Sequence, residues 1–428
     1  MRCAAGPATI GAASRFSAPD ASGGSVSRRA SASGRGGGVA PARVSTRDTG
    51  GRGAAKISGR SGAMMTESGE GGADVPADDA ATWTVRAWRQ TEGGDFAPWG
   101  PVPLDATPEV TSIPGGDPSR DDADDADDDD ASTFDASAYY SRLRTRRDGR
   151  ALLTARELPS TQCLIGDNAA TSPGSLPPGA VCVADAQASG KGRGGNAWTS
   201  PPGCLMFSLL TRHREGRTLP FVQYVATMAA VDAIQESADD ALVAAGAKGH
   251  RRGTGSAVDA KIKWPNDLYS GGLKIGGVLC TSTYSDGGFD VVVGVGINLD
   301  NAEPTTCVND IVRNRLEREG LPSSSAAPVS RERLLAGFMN RFEAMCAVLD
   351  ADDSFDALEG AYLRQWLHTD QEVTLEEDGV RKVKLVVKGI TGTGYLLATD
   401  SRGTRFELHP DGNSLDFFKG LVRKKLPD

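Results

Sequence analysis

Three short segments, two of them rich in glycine, hold the residue types that could do chemistry. In the first, Gln187-Ala-Ser-Gly190-Lys191-Gly192-Arg193-Gly194-Gly195-Asn196-Ala-Trp198-Thr-Ser200-Pro201-Pro-Gly203, glycines alternate with two cations. Gly190, Gly192 and Gly195 fit the letters G-x-G-x-x-G. A dinucleotide fingerprint also needs a helix opening there and an acidic residue after a second strand. Pro201 and Pro202 follow too soon for that helix. Lys191 lacks the Ser or Thr that follows the lysine of a Walker A loop. A cationic loop remains. Its glycines expose backbone N–H groups that can close over a phosphate or a carboxylate, and its few contacts of its own predict mobility without a ligand. The same letters could make a solvated turn.

The second segment is Lys261-Ile-Lys263-Trp264-Pro265-Asn266-Asp267-Leu268-Tyr269. Pro265 ends strand pairing, so Asn266 and Asp267 project at a turn. Their oxygens suit Mg2+, which takes one or two carboxylates plus nucleotide phosphates. A plain Asx turn would use the same residues. The third segment, Gly271-Gly272-Leu273-Lys274-Ile275-Gly276-Gly277-Val278, faces Gly294-Val-Gly296-Ile-Asn298 across a hairpin. Lys274 among apolar neighbours needs an anionic partner, unless it points outward from an edge. Gly276, Gly277, Gly294 and Gly296 weaken strands unless something flat approaches the backbone.

Elements of regular structure must position these segments. Val181–Ala184, Leu205–Leu210, Lys261–Trp264, Lys274–Thr283 and Val291–Ile297 read as strands. The last two are joined through Ser285-Asp286-Gly287-Gly288, a hairpin turn of the Asp-Gly type. Phe221–Ala245 has apolar residues at helical spacing, and Leu334–Leu349 reads as an amphipathic helix. From Glu372 short alternating strands return, as in a small β barrel.

The composition bounds the rest. The chain has 428 residues, 47 basic and 56 acidic, and a net charge of −9, so it has no global basic field for nucleic acid. No stretch approaches the roughly 20 apolar residues that span a bilayer. Seven scattered cysteines without a CxxC pair suit reduced thiols better than a zinc cluster or a disulfide framework. Residues 1–66 carry nine arginines and one lysine against only Asp20 and Asp48, the composition of an organelle transit peptide, which a generic disordered tail would share. Chloroplast is favoured over mitochondrion, because the segment is rich in Ser and Ala. A start at Met64 or Met65 would release a cytosolic form. Residues 67–133 are acidic and culminate in the run Asp121 to Asp130, which predicts a disordered spacer. Trp83, Trp88 and Trp99 hint at a docked segment within it. A chain begun near Thr133 is therefore expected to keep its activity.

In order and spacing, Gln187 through Gly203, Lys263-Trp-Pro-Asn-Asp267, Lys274-Ile-Gly-Gly277 and Gly294-Val-Gly-Ile-Asn298 resemble the signature of biotin–protein ligases. Ser200-Pro-Pro-Gly-Cys204, Asn309-Asp-Ile311, Gln365-Trp-Leu-His368 and His409-Pro-Asp-Gly-Asn-Ser414 resemble its eukaryotic, holocarboxylase-synthetase branch. Leu158-Pro-Ser-Thr-Gln162 resembles the element that opens the catalytic domain. The resemblance covers about 134–428.

It implies an α/β (α+β) catalytic domain over 134–365, with the class II aminoacyl-tRNA-synthetase fold and a mixed, largely antiparallel sheet. A small SH3-like β-barrel would follow over 366–428. It implies ATP-dependent activation of biotin to biotinyl-5′-AMP, then transfer to a lysine of a carboxylase's biotin carboxyl-carrier domain. Nucleic acid and membrane would take no part.

By the same resemblance Ser160, Thr161 and Gln187 would bind the ureido head of biotin. Gly190, Lys191, Gly192 and Arg193 would close over its carboxylate and the α-phosphate of ATP. Lys274 would bridge those anions, and Trp198 would pack beside adenine. Asn266 and Asp267 would position Mg2+ and phosphate, and Asn298 would face the nucleotide. Asp267 could instead orient or deprotonate the acceptor lysine. Lys274, Arg193 and Asp267 are the expected catalytic groups. Many bacterial members carry arginine where this chain has Lys191. A lipoate–protein ligase, or a non-catalytic biotin-binding regulator on the same fold, would share much of the pattern.

Overall fold

The computed structural model describes residues 83–424 apart from 92–94, 101, 106, 108–109, 116–131, 172–173, 248–257, 302, 378–380, 411–412 and 417–420. Three strands come first: β1 (Trp83–Gln90), β2 (Phe96–Pro98) and β3 (Val110–Pro114). Helix α1 (Ala136–Tyr140), β4 (Ala151–Leu158), α2 (Thr161–Thr171), β5 (Ala180–Gln187) and β6 (Cys204–His213) lead to the long helix α3 (Leu219–Ala244). Then follow β7 (Ala260–Lys263), β8 (Asp267–Ser270), β9 (Leu273–Ser285) and β10 (Gly288–Asn298). Helices α4 (Val308–Arg318), α5 (Arg331–Asp352) and α6 (Asp356–Gln365) precede β11 (Glu372–Glu377), β12 (Arg381–Ile390), β13 (Leu396–Thr399), β14 (Arg405–Leu408), β15 (Asn413–Asp416) and β16 (Leu421–Lys424).

A ten-stranded sheet runs in the order β2-β1-β4-β5-β6-β10-β9-β8-β7, with β3 also paired to β1. Only β4–β5 and β1–β3 are parallel, so the sheet is mixed and largely antiparallel, as expected. β6 lies at its centre. Its run Cys-Leu-Met-Phe-Ser-Leu-Leu is buried on both faces, so it reads as continuous rather than alternating. The β9–β10 turn places Asp286 and Gly287 at φ 41° and 76°, the positive values that a tight hairpin needs. Helix α3 is buried nearly all round, because one side meets the sheet and the other meets α5. The second sheet has six strands in the order β14-β13-β12-β11-β16-β15, antiparallel except for β11–β16.

Residues 83–115 depart from the expected spacer. β1 pairs with β4 from Arg86↔Thr154 to Arg89↔Ala151 and extends the large sheet. Val85 and Ala87 are fully buried with Val102, Leu104 and Val110 in one core layer, while Trp88 enters the other. Acidic and glycine-rich flanks dilute the composition, but β1 alternates at period two and finds a partner edge, which is enough for a strand. Residues 1–66, expected to be a transit peptide, and the acidic run 121–130 lie outside the described residues.

Candidate active site

A cavity of about 540 Å3 opens against the large sheet. Its polar end is built by the start of α2, the end of β5 and the middle of β6. The Thr161 backbone N–H donates to Gln187 Oε1 at 2.9 Å, and the Thr161 and Ser208 hydroxyls lie 3.0 Å apart. Ser208 Oγ donates to Gln162 Oε1 at 3.1 Å, and Gln162 Nε2 donates to Thr281 Oγ1 at 3.0 Å. Gln187 Nε2 donates to Ser200 Oγ at 3.2 Å. The Ser160 hydroxyl is buried without a partner among the described groups. A buried hydroxyl so placed calls for a ligand or water to satisfy it. Gln162 and Ser208 were not singled out from the sequence. The available signal was Ser208 itself, a hydroxyl inside an otherwise apolar strand, where it must find a partner.

The charged end is built by the β7–β8 turn and the start of β9. Lys274 Nζ lies 2.7 Å from Asp267 Oδ1, and Lys263 Nζ lies 3.6 Å from Asp267 Oδ2. The register shifts between Leu268 and Tyr269, where β8 pairs with β9. That bulge sets Lys274 opposite Tyr269 and brings it to Asp267. The anionic partner that the sequence required for Lys274 is therefore Asp267. Burial, and next the Asp267 charge, push the Tyr269 phenol above its ordinary pKa. Asn266 Nδ2 donates to the Val278 carbonyl at 2.8 Å and pins the turn to β9.

The loop forms the third wall. Gly192 N–H donates to the Asn196 carbonyl at 2.7 Å, Trp198 N–H to the Gly190 carbonyl at 2.9 Å, and Lys191 bridges Ala197. The loop thus has backbone bonds of its own, contrary to the sparse contacts expected of it. A β carbon on Gly296 would stand 2.6 Å from Trp198 Cε2, and one on Gly294 would stand 2.2 Å from Gln162 Oε1. The flat groups that approach these glycines are the chain's own side chains. Lys274 Nζ sits 5.7 Å from the centre of the Trp198 ring.

Ser160, Thr161, Gln187, Lys191, Gly192, Arg193, Trp198, Asn266, Asp267 and Lys274 all line this cavity. Two expected site residues do not. Gly190 lies beneath the loop, where a β carbon would stand 2.5 Å from the Trp198 carbonyl oxygen. The amide of Asn298 is buried, and its hydrogen bonds go to the chain's own groups, the Lys274 carbonyl at 3.5 Å among them. Its Nδ2 donates to Thr305 Oγ1 at 3.1 Å and to the Thr306 carbonyl at 3.2 Å, and Cys204 Sγ donates to its Oδ1 at 3.7 Å. Asn298 therefore clamps the segment after β10. The donor set also argues against a metal ion resident on the protein. Among the described residues Asp267 is the only carboxylate in the lining, and each of its oxygens faces a lysine ammonium.

Residues 160–298 match the model of the Biotin/lipoate A/B protein ligase family. The chain is 41% identical to "Biotin--protein ligase 1, chloroplastic" of Arabidopsis thaliana over 70% of its own length and 76% of that protein. It is 42% identical to "Biotin--protein ligase 2" of the same plant over 70% of its length and 84% of that protein. The chain belongs to the biotin–protein ligase family. To the Homo sapiens "Biotin--protein ligase" it is 30% identical over 68% of its length and 38% of that chain. These relatives place it in the eukaryotic, holocarboxylase-synthetase branch of the ligase family. The ligase family's motifs and the cavity coincide: the matched span begins at Ser160, whose hydroxyl has no partner among the described residues, and contains the Asp267–Lys274 pair.

Proposed function

We propose that this ligase joins biotin to ATP as biotinyl-5′-AMP and then passes the biotinyl group to a lysine of a carboxylase's carrier domain. The observation that carries the reading is one cavity with a polar end at Ser160, Thr161 and Gln187 and a lysine–aspartate pair at the other. A ureido group has two N–H donors and one acceptor, which hydroxyl and amide partners can meet. In the first step a carboxylate oxygen of biotin attacks the α-phosphorus and pyrophosphate leaves. Two anions must touch, so a cation between them lowers the barrier. The Lys274 ammonium is that cation, and Asp267 holds it in place. Lys191 and Arg193 line the same cavity from the loop, where they can face the phosphates. In the second step the acceptor amine attacks the mixed anhydride, the C–O bond to AMP breaks, and AMP leaves. Mg2+ enters this reading only as the companion of ATP's own phosphates.

Residues 1–66 serve in this reading to direct the chain into an organelle, with the chloroplast favoured, and a start at Met64 or Met65 leaves it in the cytosol. Their surplus of arginine supports this, and one relative's name includes "chloroplastic". A reporter fused to residues 1–66 tests it. A reporter that stays in the cytosol refutes the targeting role. Biotin-dependent exchange of pyrophosphate into ATP tests the chemistry. Exchange supported by lipoate and not by biotin would overturn the substrate assignment.

A further inference from the structure

The turn that carries Asn266 and Asp267 hangs from Trp264, and Trp264 is held at both of its N–H groups. Its backbone N–H donates to His368 Nε2 at 2.9 Å, and its indole N–H donates to Tyr224 Oη at 2.7 Å. His368 is fully buried, and its Nδ1 meets Gln371 Oε1 at 2.8 Å. Nε2 must accept, so the ring proton belongs on Nδ1. The Tyr224 hydroxyl passes its own hydrogen to the Gly394 carbonyl. The Tyr224 ring stacks on Tyr362 at 4.9 Å. Beside this, Leu367 N–H donates to the Ile262 carbonyl at 2.9 Å. Gln371 directly precedes β11 and Gly394 lies between β12 and β13, so both chains of hydrogen bonds end at the C-terminal sheet. Neither His368 nor Tyr224 lines the cavity of the reacting groups. The Lys263 charge on β7 adds to burial in disfavouring a second proton on the His368 ring.

We propose that His368 and Tyr224 are positioning residues for adenylate formation. By fixing both N–H groups of Trp264 they place Asp267, and through it the Lys274 ammonium, relative to the C-terminal sheet. The proposal rests on the ligase reading above. Its physical basis is the steep cost of misplacement: a shift of about 1 Å can lower a rate by roughly 10²-fold. The Lys274–Asp267 contact is a single ion pair of 2.7 Å, so a turn that is free to drift takes the ammonium with it.

The test uses the full chain and biotin-dependent ATP–pyrophosphate exchange, normalised to folded protein by circular dichroism. His368→Asn keeps a donor toward Gln371 and loses the acceptor for Trp264. His368→Gln brings an oxygen close to the place of Nε2. Tyr224→Phe removes the hydroxyl and keeps the stacked ring. We expect His368→Asn and Tyr224→Phe to lower kcat about tenfold or more, with KM for biotin within about twofold because the ureido end stands on α2 and β5. His368→Gln should recover most of the loss. A purely structural role would lower the melting temperature and leave kcat per folded molecule intact. Folded His368→Asn with kcat within about twofold of the parent overturns the proposal, and so does His368→Gln as slow as His368→Asn. If His368→Asn does not fold, Tyr224→Phe decides by the same threshold. A parent without exchange sinks the ligase reading together with this one, whereas an active parent with active variants sinks only this one.

Discussion

The two ends of the ten-stranded sheet are built on different terms. At the β7–β10 end, charged residues sit on turns and strand starts, gripped by buried hydrogen bonds from α3 and from the segment before β11. At the β1–β3 end no described residue lines the cavity. Val85, Ala87 and Trp88 close the two core layers over β4. In the proposed reading one end performs the chemistry, and the other keeps the sheet from ending in an open, apolar edge. Substitutions at the first should therefore cost rate, and losses at the second should cost the fold.

The sharpest test of that contrast is truncation. A chain begun at Thr133 loses Val85, Trp88, Val102, Leu104 and Val110, all of them buried. At about 1.5–3 kcal/mol for each large apolar side chain the loss is on the order of 10 kcal/mol, comparable to the whole stability of a domain. That chain should aggregate or melt far below the parent, while one begun at Thr82 should melt with it. Equal melting temperatures for the two would return residues 83–115 to the role of spacer.

Next in size is Lys274→Ala. Its side chain is 38% exposed and its ion pair with Asp267 lies at the cavity wall rather than in the core, so the fold should survive. Adenylate formation should fall by about 10²–10³, as when a group that stabilises a transition-state charge is removed. Near-normal pyrophosphate exchange would show that the charge belongs elsewhere.

His368 sits where the two kinds of cost meet, because it supports the site from within the core. Burial lowers its pKa from 6.5 to about 4. The fold therefore keeps the ring neutral, whereas the unfolded chain takes up a proton below about pH 6.5. The stability this contributes is complete above pH 6.5 and is lost as pH falls toward 4, in total about 3 kcal/mol. Denaturant titrations of the parent and of His368→Gln at pH 7 and pH 5 should diverge in the acid direction. Parallel pH dependences would remove His368 from the acid sensitivity.

The smallest effect belongs to the loop wall. Arg193→Gly removes a cation from the exposed side of the cavity and leaves the Lys274–Asp267 pair in place. We expect adenylate formation to drop about tenfold at most, as for a partly solvated charge. Leaked biotinyl-AMP should then label bystander lysines. Mass spectrometry of an added inert protein would read this, and its lysines staying clean would break the idea that the loop retains the adenylate.

The difference between the two ends also explains what the sequence could show. The site end is dense in unusual residues: a lysine in an apolar strand, paired glycines, Pro-Asn-Asp after a tryptophan. Each has a physical reason to stand out, and together they carried the resemblance to the ligase family. The scaffold end has only a short alternating run beside acidic, glycine-rich flanks. Composition averaged over a long window hid it, although three tryptophans within 17 residues were a visible sign.

The sequence by itself determined the hairpin of β9 and β10, the long buried helix, ten of the residues that line the cavity and the family. Local periodicity, turn chemistry and motif spacing are properties of neighbours along the chain. Only the tertiary structure decided that Asp267 takes Lys274 as its partner, that Asn298 turns inward to hold Thr305 and Thr306, and that Trp198 rests on Gly296. It alone joined His368 to Trp264 across 104 positions. Such pairings depend on which strands become neighbours and where a bulge shifts the register, and no local pattern encodes either.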